Sequence, residues 1–260
     1  MPATTQKPRI KNSLFRSQIP ELQTLYEEKP GKVDEFRDLL EGETIIYIDF
    51  ANIKPWHRKL EWHFDPERMK QFFDSIDSIK RVRFYYGTIS GSKKSGKFIK
   101  DLKKAKYEVT TKPIKEMRLS INASSIPDDS PELLKTFIRY PLLEKFSMEE
   151  VKYLNGLLYG LNTRGIHRIT DWKCNFDVEI GRDMMRDFLT TKTETFILFG
   201  GDSDFESPIR QLLSDGKRVI LVATARKIAS ELNTIRKDGL HIFEVKKLKE
   251  FFCKKEEIVL

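Results

Sequence analysis

Cysteine is nearly absent. Cys174 and Cys253 are the two in 260 residues, about eighty positions apart, which argues against a disulfide framework or a cysteine-based zinc site and suits a reducing compartment. Long hydrophobic runs are missing too. The longest, such as Phe-Ile-Leu-Phe at 196–199 and Val-Ile-Leu-Val at 219–222, span four to six residues, against the ~20 a membrane-spanning helix needs. The first ten residues lack the apolar stretch of a secretory signal, so the expectation is a soluble cytoplasmic protein with no membrane partner. Histidine is scarce: four copies, none paired at a helical metal spacing. Of these His57 is the one to watch, because Trp56, His57 and Arg58 could stack on a base and hold a phosphate. No internal repeat is visible.

What the chain does have is charge. Charged residues make up 33% and hydrophobic residues 39%, but the apolar residues cluster into runs that can form a core, which excludes wholesale disorder. The net charge of +8 is concentrated: residues 80–118 hold thirteen Lys or Arg against three acids. Such a stretch suits a polyanion, since each neutralised phosphate releases a counterion, although a lysine-rich helix can equally be a solvated face.

Short apolar runs alternate with amphipathic stretches. Strands are expected near 44–48, 82–86, 107–111, 195–199, 218–223 and 240–245. Helices are expected near 65–79, 98–106, 176–189, 207–215, 226–236 and 247–252. Strands that read as unbroken apolar runs between helices imply a parallel sheet covered on both faces. Residues 1–43 read as a polar extension outside the main fold, with helical stretches at 21–28 and 32–40, and 253–260 as a tail. Residues 119–168 break the rhythm as a helical insertion, whose second helix opens on a capping box, Ser147 with Glu150. The Gly-, Ser- and Lys-rich segment 87–97 reads as a basic loop, without the spacing of a phosphate-binding P-loop.

Two strands end in acid. Asp49 closes the first, and Asp202 and Asp204 follow the strand at 195–199 across Gly200 and Gly201. Ligands of an open parallel sheet bind beyond the carboxyl ends of its strands, where the strand order reverses. If these two strands are neighbours there, three carboxylates converge. Asp177, in the first turn of its helix, can add a fourth; Asp183, six residues on, faces another way by about 240°. Clustered carboxylates repel, and a hard divalent cation such as Mg²⁺ or Mn²⁺ would compensate them. The alternative is that Asp202 and Asp204 merely complement a helix dipole, a reading that suits Asp204 best; Asp49 is harder to dismiss, because an acid ending a buried apolar run needs a partner.

These residues carry a resemblance. Tyr-Ile-Asp-Phe-Ala-Asn-Ile at 47–53, Phe-Asp-Val-Glu-Ile-Gly-Arg-Asp at 176–183 and Gly-Gly-Asp-Ser-Asp-Phe-Glu-Ser-Pro at 200–208 resemble the three acidic motifs of the NYN domain. The third continues into Gly-Lys-Arg-Val at 216–219. More narrowly the chain is similar to the LabA-like branch of the PIN-like nuclease superfamily, over roughly residues 44–252 apart from the insertion. The resemblance implies an α/β fold: three-layer α/β/α, Rossmann-like (PIN-like), with a central mainly parallel sheet plus the helical insertion. It implies a bound divalent metal and cleavage of phosphodiester bonds, chiefly in RNA. Asp49, Asp177 and Asp202 would be metal ligands, Asp204 a ligand or water-orienting base, and Asp183 a support. Asn52 would hold the first loop or touch phosphate. Ser203 stands where the family often has Gly or another small residue, and Ser207 where it often has an apolar one. The insertion is the larger departure.

The expected function is a metal-dependent ribonuclease acting on single-stranded or structured RNA, leaving a 5′-phosphate and a 3′-hydroxyl. Substrate contacts are expected from Asn52, Ser203, Lys93, Lys94, Lys97, Thr224 and Arg226. The rival is a non-catalytic nucleic-acid-binding or scaffold protein with a vestigial acidic pocket; a phosphatase or kinase of small nucleotides uses the same metal chemistry. The N-terminal extension or the insertion could dock a protein partner, and a homo-oligomer stays open.

Overall fold

The computed structural model describes residues 14–224 and 228–254. Its strands are β1 Glu43–Asp49, β2 His63–Phe64, β3 Ile79–Thr88, β4 Glu108–Pro113, β5 Lys115–Ser120, β6 Arg168–Lys173, β7 Thr193–Phe199, β8 Arg218–Ala223, β9 His241–Glu244 and β10 Cys253–Lys254. Six form one sheet in the order β4-β3-β1-β7-β8-β9, every neighbouring pair parallel. Parallel strands need crossovers, and the helices that supply them flank the sheet in the three-layer α/β/α arrangement. The central strands are buried on both faces, which is why β1, β7 and β8 read as continuous apolar runs and not as alternating ones. The order runs outward from β1 through β3 to β4 on one side, and through β7 and β8 to β9 on the other. The reversal therefore falls between β1 and β7, where Ile48 pairs with Phe199 and the two carboxyl ends lie level.

By their contacts the described residues divide into two compact units, those up to 113 together with those from 175 onward, and residues 114–174. In the first, the helix Pro66–Asp74 buries Met69, Phe72 and Phe73. Phe73 meets Phe199 at 5.8 Å and Phe252 at 5.4 Å between ring centroids. The described part of the segment before β1, residues 14–42, expected to lie outside the main fold, is packed into it. Its helices Pro20–Glu28 and Pro30–Arg37 bury Leu22, Val33 and Phe36, and Phe36 meets Phe243 edge-on at 5.2 Å. Lys29 adds an ion pair to Glu250 at 2.8 Å. Three apolar contacts on two short helices make a weak periodic signal, and that is why a polar composition masked the packing.

The helix Asp177–Thr190 is fastened to the sheet by acids that face it. Asp187, 1% exposed, accepts the Tyr47 hydroxyl at 2.7 Å and Arg83 Nε and Nη2 at 2.7 and 2.8 Å, and Arg81 reaches it at 3.2 Å. One helical turn earlier Asp183, also 1% exposed, accepts the Tyr85 hydroxyl at 2.9 Å. Two buried acids are tolerable because each is charge-paired and hydrogen-bonded.

The second unit has a small core of Leu134, Leu143 and Val151, extended by Leu154 and Leu158. Its helix Met148–Asn162 opens on the expected capping box, with Ser147 and Glu150 bonding each other's backbone amides. Strands β5 and β6 form an antiparallel pair that the sequence did not reveal, because its two halves are polar and about fifty residues apart. Asn162 ties the unit's ends together: it bonds the Ile121 and Ile166 carbonyls and the Ala123 amide. Among the described residues, no helix is long and apolar enough to cross a membrane.

Candidate metal centre

Asp49 ends β1 and becomes the N-cap of the one-turn helix Phe50–Ile53. Its Oδ1 accepts the amides of Ala51 at 3.0 Å and Asn52 at 3.4 Å, the partner that an acid closing a buried strand requires. Asn52 also bonds it through its side chain. Asp202 follows β7 and caps the short 3₁₀ turn Ser203–Phe205, accepting the Asp204 amide at 3.4 Å. Asp177 starts its helix, and its amide is bonded by Asn175 Oδ1 at 2.7 Å, an Asx turn two residues ahead that the sequence could have shown.

Asp177, Asp202 and Asp204 each bring a carboxylate oxygen to within 4.8 Å of the others. Asp49 lies outside this group, yet its charge acts on Asp177, and that of Asp202 on it. A Cβ on Gly200 would come 3.9 Å from Asn52 Nδ2, which shows how closely the exits of β7 and β1 approach. The group's donors are all oxygens, and Asp177 Oδ2 is buried with no hydrogen-bond partner among the described residues. A hard divalent cation fits such a set.

Burial raises the Asp49 carboxyl to about 6, against the pull of the Asn52 and Ala51 amides and with a further push from Asp202. Burial likewise raises Asp177 to about 6; the Asn175 bond opposes this, and Asp204, Asp202 and Asp49 add to it. Both acids thus keep protons in the folded chain at pH values where the unfolded chain has released them, so stability falls as pH rises from the ordinary value of 3.8 through about 6. Metal-free protein is accordingly expected to melt at a lower temperature at neutral pH than near pH 5. Asp49→Asn should flatten that slope in thermal melts followed against pH; a slope identical to wild type would refute this origin.

The other predicted residues are distributed as follows. Asp183 does not join the group: beyond Tyr85 it accepts Arg182 at 2.9 Å and Arg186 at 3.2 Å, so its oxygens are committed to cations of its own helix. Arg182 is its neighbour in the motif, but Tyr85 lies on a distant strand and Arg186 beyond the motif's end, where motif spacing does not reach. Lys93, Lys94 and Lys97 are exposed, but on the helix Lys93–Lys104 and not in a loop, since Ser92 caps it and starts it five residues earlier than its apolar pattern suggests. This helix begins beyond the carboxyl end of β3, and its Phe98 packs on Phe50 at 5.2 Å, which brings its first turns to the end of the sheet that holds the acids. Ser203 is half-buried between Asp202 and Asp204. Thr224 follows β8 at the same end, with its Oγ1 buried and unpartnered among the described residues. Arg226 lies outside the described residues. Trp56 is fully buried, and with it the stacking surface expected there; His57 instead stacks on His63 at 5.0 Å. Within the basic stretch, Arg81, Arg83 and Lys112 are spent on Glu108, Asp187 and Glu179, while Lys93, Lys94 and Lys97 of the helix stay exposed.

The NYN domain family matches residues 149–242. The low amplitude and bright protein LabA of Synechococcus elongatus is 26% identical over 188 residues, 72% of this chain and 76% of its own. A crystal structure of a Vibrio parahaemolyticus protein of unknown function aligns with a TM-score of 0.48 at 15% identity, over 82% of this chain and 96% of that one.

Proposed function

We propose that this chain, which carries a LabA-like NYN domain, is a metal-dependent ribonuclease hydrolysing phosphodiester bonds. The observation that supports this most is the group of Asp177, Asp202 and Asp204 beside Asp49 at the strand-order reversal, with a buried Asp177 oxygen lacking any other partner among the described residues. Asp177, Asp202 and Asp204 would hold Mg²⁺ or Mn²⁺, with Asp49 adding its charge from the floor of the site. Such an ion, when bound, makes water a better nucleophile and offsets charge on phosphoryl oxygens.

The chain's own groups have separate tasks. Asp204, exposed at the rim, orients the attacking water and takes its proton. The water oxygen bonds to phosphorus as the bond to the 3′ oxygen breaks, and that oxygen takes a proton from solvent, leaving a 5′-phosphate and a 3′-hydroxyl. Asn52 holds Asp49 in place, and Lys93, Lys94 and Lys97 draw in the RNA backbone. Ser203, Thr224 and Arg226 are assigned to the phosphate. Asp183 keeps the helix that carries Asp177 against β3.

Purified protein with end-labelled single-stranded RNA tests this reading. Cleavage is expected with Mn²⁺ and none with chelator, giving 5′-phosphate ends, and RNA affinity should drop with a log–log salt slope of about 0.7 per phosphate contacted. Cyclic-phosphate products formed without metal would overturn it. Metal-independent binding with no cutting at all would favour a scaffold with a vestigial pocket.

A further inference from the structure

Of the fifteen exposed large apolar side chains among the described residues, eleven fall between residues 114 and 174. A few scattered apolar side chains are ordinary on any surface; a concentration on one small unit is not. Four of them, Met148, Tyr153, Leu157 and Tyr159, lie on its helix Met148–Asn162, and Tyr153 and Leu157 are the two turned away from the unit's core. Val151, Asn155, Leu158 and Asn162 point to the unit's core or its loops. At 3.6 residues per turn the opposite face carries Glu149, Tyr153, Gly156 and Gly160, with Leu157 at its edge. Tyr153 is 67% exposed and Leu157 52%. Arg164, one residue past the C-cap, extends the same stripe, because its Nε bonds the Gly160 carbonyl at 3.2 Å.

We propose that this face is the dimer interface of the protein, meeting the same helix of a second copy in antiparallel fashion. The argument is complementarity of the stripe with itself. A two-fold axis between Gly156 and Leu157 sets each residue opposite the one whose number sums with it to the same total. Glu149 then faces Arg164 of the other copy, an acid against a base at both ends of the contact. Tyr153 faces Gly160, a large ring over a residue with no side chain. Such an isologous pairing repeats every favourable contact twice. The glycines have no use inside the chain: a Cβ on either would meet nothing within 4 Å. In a helix interior glycine is a loss against alanine, and close approach of a second backbone is what it permits. The stripe carries one acid and one base and no excess of positive charge, which favours a protein surface over RNA. This inference is independent of the nuclease reading.

Sedimentation velocity on the full chain across a concentration series tests it. Wild type is expected to be a dimer at micromolar concentration and Leu157→Glu a monomer. Glu149→Arg and Arg164→Glu alone each put like charges together and should weaken dimerisation roughly tenfold or more, while the double exchange restores it. All these positions are at the surface, and unchanged melting curves will show that the variants fold. A wild type that stays monomeric up to roughly 100 µM, a dimer indifferent to Leu157→Glu, or a double exchange no better than the single ones overturns the proposal.

Discussion

Asp177→Asn is expected to lower Mn²⁺-dependent RNA cleavage by about a hundredfold or more, since even partners one step removed from a metal are typically worth 10–100-fold. The same change should leave the metal-free protein as stable as wild type, or more so. Asparagine keeps the shape of the side chain and can stay where burial, the hydrogen bond with Asp204 and the charges of Asp202 and Asp49 disfavour an anion. Activity and stability thus move in opposite directions, as they do when a site holds charge that the fold alone would reject. Asp183→Asn supplies the contrast. It removes the charge that Arg182 and Arg186 face and weakens the bond from Tyr85, so it should lower the melting temperature. Cleavage rates measured at saturating Mn²⁺, beside thermal melts with chelator, check both arms. If Asp177→Asn keeps full activity, Asp177 is no part of the centre; if it loses stability as Asp183→Asn does, its role is structural.

The largest change in stability is expected from Arg83→Met, a loss of about 3–5 kcal/mol, because breaking a buried pair leaves an uncompensated charge. Arg83 is 6% exposed and Asp187 1%. Burial alone would raise the Asp187 carboxyl, but the bonds from Arg83 and Tyr47 and the charges of Arg83 and Arg81 overcome it and hold it below its ordinary value. With Arg83 gone, Asp187 keeps Tyr47 and Arg81, itself one-third exposed. Lys112→Met is the control. Its pair with Glu179 is one-third and one-quarter exposed, and pairs open to water contribute about 0–1 kcal/mol. Denaturant melts of both variants decide the matter: comparable losses would mean that the Arg83–Asp187 pair is no stronger than a surface one. Adding Asp187→Leu to Arg83→Met should recover much of the loss, since an apolar replacement of both partners no longer strands a charge.

The sheet was legible in the sequence because its central strands are short unbroken apolar runs, and the acids ending β1 and following β7 marked the candidate site through the general rule of where parallel sheets bind ligands. The start of the helix Lys93–Lys104 was not legible, because Ser92 and Ser95 build its cap from the residue types that also make loops. The division of labour along Asp177–Thr190 was hidden for another reason. Asp177, Asp183 and Asp187 look alike as acids on one helix. What separates them is β3 and β1, which offer Tyr85, Arg83 and Tyr47 to the last two and nothing to the first. Composition also overstated the open positive charge, for the arginines of β3 are turned inward to serve that helix.

The strand order also dictates when this centre can exist during synthesis. Asp49 leaves the ribosome early and β3 can pair with it soon after, but its other neighbour, β7, is translated only after the whole 114–174 unit. A nascent chain that has not yet reached Asp202 lacks two of the three grouped carboxylates altogether, so the cluster can assemble only after both sequence segments of the first unit have been made.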